Sequence, residues 1–418
     1  MKNKILIHSI AFSPDGVSTA YLYNDIACGL KDSGYDVVVL TTTPHYNLVK
    51  EDLKMQPLSP VCWGLFYKSY YRGIPVFHVP QKKFKSTLAR VIGFVYWHIL
   101  SFLIGLSQKN LALILSPSPP LTIGLVSLLI AKLKGAKAIY NVQEIYPDFL
   151  INQGKLKAKP IIEVLKWLER LVYNNSDGVT TIDEVFYNTI VPRFINKQKL
   201  FVIPNFVDTE IYRPVETLSM LDATQFPDTK ALKIMYAGNI GYAQDWEPLL
   251  FLADRFRNQS VEFWVIGEGV LKDSLVQQVE AKGLKNIHIL PYQQRQNMPY
   301  LIAYADLHFI FMNPAMEGDG FPSKVYTIMA CQKPLLIVSG ENTPLNNFLR
   351  QLNCAFLVDS GATNQVAGSL ESIIISVLEH PTQLDSLGKA GYSVIKAKYT
   401  KEAVIGKYVK LIKELTSI

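Results

Sequence analysis

Leu232-Lys233-Ile234-Met235-Tyr236-Ala237-Gly238-Asn239 is an apolar run that stops at a glycine, and a helical stretch follows it. The same unit recurs along most of the chain. Earlier examples are KILIHS, DVVVLTTT, ALILSPS, AKAIYNVQE, GVTTID and FVIPN, and later ones VEFWVIGE, IHILPY, LHFIFMN and PLLIVSG. Helical spans such as Tyr21–Ser33, Ile161–Asn175 and Leu271–Lys282 lie between them. Continuous apolar strands alternating with helices indicate parallel sheets covered on both faces. Two sets of five or six strands predict an α/β fold of two doubly wound, Rossmann-like domains. Ligands then bind beyond the carboxyl ends of the strands, in a cleft between facing domains.

The length of 418 residues agrees with two domains. Polar and proline residues interrupt the pattern at Asp208–Lys230, which reads as the boundary. The expected division is residues 1–207, 208–395 and a terminal amphipathic helical segment at 396–418. No fixed-period repeat is visible.

Composition removes several classes of protein. Hydrophobic residues at 49% and charged ones at 18% are too apolar a mixture for disorder. With 24 glycines and 23 prolines the chain is neither collagen-like nor of low complexity. The four cysteines stand singly, without a C-x-x-C pair, which argues against a disulfide scaffold or a cysteine zinc site and suggests a reducing compartment. The net charge of +7 suits an anionic substrate, an anionic membrane or nucleic acid. No basic block interleaved with aromatics looks like a nucleic-acid module. The first residues, MKNKILIHSIAFSPDG, lack a signal-peptide core and cleavage site and read as a buried strand.

The greasiest run, Val91–Leu106, falls short of the roughly 18 residues needed to cross a bilayer. Lys82, Lys83, Lys85 and Arg90 precede it. The region reads either as an interfacial helix on an anionic membrane or as a buried helix behind a solvated loop.

Three glycine-bearing loops follow strands. Ser13–Thr19, with Gly16, is either an anion site at a helix start or a plain turn with a capping serine. Tyr236–Gln244, with Gly238, repeats the arrangement in the second half, and Ile266-Gly267-Glu268-Gly269 is the third. None fits a dinucleotide or Walker pattern. In Glu317-Gly318-Asp319-Gly320-Phe321-Pro322-Ser323-Lys324, two acids and two glycines precede a helix. Ser323 and the first helix amides can hold a diphosphate with Lys324 as counter-charge, while Glu317 or Asp319 bonds sugar hydroxyls. The competing reading is an acidic loop beside an ordinary capped helix.

These residues carry a resemblance. Nearly the whole chain resembles glycosyltransferase family 4, retaining enzymes of the GT-B fold that use nucleotide-sugar donors. Ile203-Pro204-Asn205-Phe206-Val207-Asp208 is similar to the family's IPNGVD linker, and GDGFPSKVYTIMACQKP, residues 318–334, to its EGFGLPxLEAMACGxP. Gln143-Glu144-Ile145-Tyr146-Pro147-Asp148 resembles a segment of a bacterial subgroup that builds surface polysaccharide and lipopolysaccharide. The resemblance implies a retaining, metal-independent hexosyltransferase-like reaction, with no cofactor and no metal site. A UDP-sugar is the implied donor and a glycan or lipid-linked acceptor its partner, in the cytoplasm or peripherally on the inner face of the cell membrane, and the terminal helix returns to the first domain.

It also assigns positions. The family's paired glutamates fall on Asp319 and Thr327, and its phosphate-binding cations on Asn239 and Gln244, leaving Lys324 to supply the missing charge. The implied catalytic set is Asp319, Glu317 and Lys324. The donor set is Gly16, Gly238, Asn239, Gln244, Gly267, Glu268, Pro322, Ser323 and Thr327, and His45, Glu144 and Asp148 stand on the acceptor side. Two rival functions are a sugar-nucleotide epimerase of the same architecture and a non-catalytic nucleotide-sugar-binding scaffold.

Overall fold

The computed structural model describes residues 3–45, 50–81, 86–215, 220–317 and 321–416, without the side chains of 50–52 and 87–89. It forms two compact units, one of Met1–Asn205 with Lys401–Ile418 and the other of Phe206–Thr400.

The described strands of the first unit are β1 (Lys4–His8), β2 (Asp36–Thr42), β3 (Ser59–Val61), β4 (Phe66–Tyr71), β5 (Ile74–Val79), β6 (Leu111–Ser118), β7 (Lys137–Val142), β8 (Gly178–Thr181) and β9 (Leu200–Val202). They assemble in the order β3-β4-β5-β2-β1-β6-β7-β8-β9. From β5 to β9 the pairing is parallel. The expectation of five or six strands misses β3, β4 and β5, where pairing turns antiparallel. β3 and β4 are mostly exposed or half-buried, and Pro75 and His78 interrupt the largely buried β5, so no continuous apolar run marks them. The two-residue turn Arg72-Gly73, with φ of 47° and 77°, is the hairpin signal that the reading passed over.

The second unit contains β10 (Leu232–Ala237), β11 (Val261–Ile266), β12 (Ile287–Leu290), β13 (Leu307–Phe311), β14 (Leu335–Ser339) and β15 (Ala355–Asp359). All described pairs are parallel, in the order β12-β11-β10-β13-β14-β15. The edge strand β15 was not expected, because most of it is only half-buried. Part of the expected linker is packed structure of this unit. Phe226 stacks on Trp264 at 5.8 Å and meets Tyr304 edge-on, while Tyr212 is buried with Val207 and Met329.

The helix Thr382–Lys398 belongs to the second unit, and Lys401–Thr416 to the first. The last helix buries Val404, Ile405, Tyr408, Leu411 and Ile412, and Asn141 on β7 donates to the Tyr408 hydroxyl over 3.1 Å.

The helix around the greasy run is longer than the run itself, spanning Thr87–Ser107. Among the described residues it is the one helix long and apolar enough to cross a membrane, through Arg90–Ser107, which corrects the shorter expectation. Trp97 and Ser101 are nonetheless wholly buried in the first unit, so the helix is part of that domain's wall.

Candidate active site

Strand order reverses at β1/β6 in the first sheet and at β10/β13 in the second. Such reversals open the crevice where doubly wound sheets take ligands. Beyond the end of β10 the chain enters Gly238 at φ +152°. A Cβ there would lie 2.4 Å from the Lys324 Nζ, so glycine is what admits the lysine above the strand end. On the next loop, a Cβ at Gly267 would lie 1.9 Å from the Gly238 carbonyl oxygen, so the two glycines pack backbone to backbone.

Lys324 opens the helix Lys324–Ala330 and holds its ammonium 3.7 Å from the centroid of the Tyr236 ring. Burial pushes its pKa down from 10.5 to about 7, because the charged form loses hydration that the ring replaces only in part. Among the described residues, no ion pair or hydrogen bond is found on this ammonium. The arrangement is a desolvated cation at a strand switch point, suited to an anionic ligand group.

The other donor-side candidates have more ordinary partners. Glu317 accepts from the Gly340 amide at 2.7 Å and from the Ser360 hydroxyl at 3.1 Å, tying its loop to the ends of β14 and β15. Asp319, Gly318 and Gly320 lie outside the described residues. Ser323 is exposed at the helix start and makes no side-chain cap, contrary to the capped-helix reading. The Val325 and Tyr326 amides bond the Pro322 and Ser323 carbonyls, which leaves fewer amides for a diphosphate than expected. The Thr327 hydroxyl donates to the Lys324 carbonyl at 2.8 Å.

Asn239 is exposed, and its carbonyl accepts from the Tyr236 hydroxyl at 2.7 Å. Gln244 is buried beside Met312, with its amide nitrogen on the Ala243 carbonyl and its Oε1 without a partner among the described residues. Glu268 is exposed and forms a surface pair with Lys272 at 2.6 Å, which lowers its pKa.

In the first unit, no side chain caps the helix Ser18–Asp32, whose N-cap is Val17, so the capping-serine reading of the Gly16 loop fails. Ser13 instead bonds Gln56, which reaches Ser69 and through it His78. The His45 amide donates to Asp15 at 2.8 Å, and its Nδ1 lies 2.8 Å from the Thr43 carbonyl. The Glu144 amide and carbonyl both bond the Ser118 hydroxyl. Gln143 exchanges hydrogen bonds with Asn205, joining the two motifs that carried the family resemblance.

Asp148 is engaged by Arg193, which also binds Glu169. Glu169 is almost wholly buried, and burial raises its pKa to about 7 against the opposing pull of Arg193. Sequence reasoning did not find Arg193, Glu169 or Tyr236. The first two are remote in sequence from Asp148, and Tyr236 reads as one more strand aromatic. Among the described residues, no group of three or more His, Cys, Asp or Glu is placed to hold a metal ion.

Residues 19–205 match the glycosyl transferase 4-like domain, and residues 221–394 match glycosyl transferases group 1. The putative colanic acid biosynthesis glycosyl transferase WcaI of Escherichia coli (strain K12) is 25% identical over 354 residues, 82% of this chain and 84% of that protein. Among solved structures, sucrose-phosphate synthase (tll1590) from Thermosynechococcus elongatus aligns with a TM-score of 0.74 at 13% identity, covering 99% of each chain. Anabaena Alr3699/HepE in complex with UDP-glucose aligns with a TM-score of 0.69 at 14% identity, covering 98% of this chain and 99% of that one. The chain belongs to the GT-B glycosyltransferases in which a glycosyl transferase 4-like domain precedes a group 1 domain.

Proposed function

We propose that this glycosyltransferase moves a sugar, with retention, from a UDP-sugar to a hydroxyl of a glycan or lipid-linked acceptor during bacterial surface-polysaccharide synthesis. The observation that carries the reading is the Lys324 ammonium, held 3.7 Å from the centroid of the Tyr236 ring and packed against Gly238 at the end of β10. UDP-glucose in the HepE structure and the colanic acid assignment of WcaI support the donor class and the pathway type.

Breaking the anomeric carbon–oxygen bond moves an electron pair onto the leaving diphosphate. Lys324 stabilises that developing charge from a partly desolvated site, where screening is weaker than in bulk water. The acceptor hydroxyl attacks from the same face, and its proton passes to the leaving phosphate oxygen, which preserves the anomeric configuration. Asp319 is the sugar-hydroxyl partner in this scheme, since Glu317 is committed to Gly340 and Ser360. The first domain holds the acceptor, and the reaction is cytoplasmic and needs neither cofactor nor divalent ion.

The test is UDP release from a panel of UDP-sugars, with acceptor extract, with and without a chelator. Turnover that survives chelation and falls about 10²–10³-fold in Lys324→Met is expected. Sugar interconversion without acceptor would assign an epimerase. Nucleotide-sugar binding with neither transfer nor interconversion would assign a non-catalytic scaffold.

A further inference from the structure

We propose that one face of the first unit, formed by the helices Thr87–Ser107, Leu121–Lys134 and Lys159–Asn175, docks on an anionic lipid bilayer. The inference is independent of the transfer reaction.

The three helices form one layer. A Cβ on Gly105 of the first would meet Ile130 of the second, and one on Gly124 of the second would meet Val172 of the third. Their inner stripes share a single core through Trp97, Ile104, Ile123, Ile130, Leu168 and Val172. A soluble domain would carry polar residues on the opposite stripes. Here Val91, Ile92, Val95, Ile99 and Leu103 of the first helix are each more than half exposed. Leu129 and Leu133 of the second helix are exposed as well, as are Ile161, Val164 and Trp167 of the third. The Tyr96 hydroxyl bonds the Leu65 carbonyl, which fixes beside the first helix a loop whose Trp63 is fully exposed. An apolar patch that continues over three neighbouring helices exceeds what scattered surface residues produce.

Charge selects the occupant. From residue 53 to residue 143 the chain has eleven Lys and Arg and no Asp or Glu, more than its whole net charge of +7, so the remainder is net acidic. On the three helices, Arg90, Lys132, Lys134, Lys159, Lys166 and Arg170 accompany the apolar stripes, with Glu163 as the exposed acid. Aliphatic stripes bordered by cations and by exposed Trp63 and Trp167 are complementary to an anionic headgroup layer over acyl chains. The first helix does not cross the bilayer, because its Trp97 and Ser101 are held in the domain core.

Flotation of the full-length protein with vesicles of phosphatidylglycerol and phosphatidylcholine, against phosphatidylcholine alone, tests the assignment at low and high salt. Binding to the anionic vesicles that weakens with salt is expected. A Val95→Gln, Ile99→Gln, Leu103→Gln variant should bind at least tenfold more weakly. Glutamine favours helices and these positions are exposed, so its melting temperature stays unchanged. Lys132→Glu with Lys166→Glu should weaken binding at least tenfold as well. The proposal is overturned by absent binding at low salt, by equal binding to both vesicle types, or by wild-type binding of the triple variant. A dimer that the triple variant dissolves, with no vesicle binding, would overturn it in favour of a second copy of the chain.

Discussion

The state of Lys324 offers a measurement that requires no knowledge of the acceptor. Burial lowers its pKa to about 7, so at pH 8 most free protein carries a neutral amine. A bound diphosphate beside it favours the charged form and draws its pKa back toward the usual lysine range. The complex then holds more protons than the free protein, and affinity rises as pH falls through 7. With a free pKa of about 7, binding takes up about 0.9 proton at pH 8 and about 0.1 at pH 6, and affinity falls about tenfold between those two values. A lysine at its ordinary 10.5 would take up none over that range. Calorimetry of UDP-glucose binding in buffers of different ionisation enthalpy reads the uptake directly. The donor's diphosphate, esterified at both ends, does not itself titrate there. Lys324→Met removes both the uptake and the pH dependence. Uptake near zero at pH 8, or equal uptake in Lys324→Met, would mean that Lys324 is not a depressed lysine that charges when the donor binds.

Gly238→Ala places a methyl group 2.4 Å from the Lys324 Nζ at a positive φ, and should cost about 1–3 kcal/mol in a denaturant melt. The same variant should weaken UDP-glucose binding at least tenfold by calorimetry, because the lysine is displaced. Glu317→Gln weakens the link to Gly340 and Ser360 and should lower stability by about 1–3 kcal/mol, as read by urea unfolding. Unchanged stability with a hundredfold loss of turnover would instead place that carboxylate on the substrate. Arg193→Ala leaves Glu169 buried without its cation and should cost about 3–5 kcal/mol at pH 8. Its deficit should shrink in melts at pH 5.5, because Glu169, already raised to about 7, then takes a proton.

The parallel strands were legible because each is a short apolar run that no amphipathic helix would tolerate. Val37–Leu40 and Leu335–Val338 are almost wholly buried, as their composition requires. The hairpin of β4 and β5 was not legible from the same signal. It covers an edge where Tyr70 is exposed, so its residues need not be uniformly apolar. The glycine loops drew attention to Gly238 and Gly267, but not to the reason for them. Composition cannot show that one glycine packs on the other, or that Lys324 fills the space a side chain would take. Gln244 is the converse case. Its motif position suggested a ligand contact, and nothing in the sequence foretold that the side chain is buried beside Met312.

Hydrophobic periodicity and glycine placement are local properties, and they are enough to specify the two doubly wound domains and the loops at their strand ends. The family motifs further narrowed the chemistry to glycosyl transfer. Which charged groups are already engaged depends on contacts between distant segments. Glu317, Asp148 and Glu268 look equivalent to Lys324 as candidates until their partners are known. A side chain's pKa and availability depend on neighbours brought from distant strands, and Tyr236 lies 88 residues before the lysine it faces.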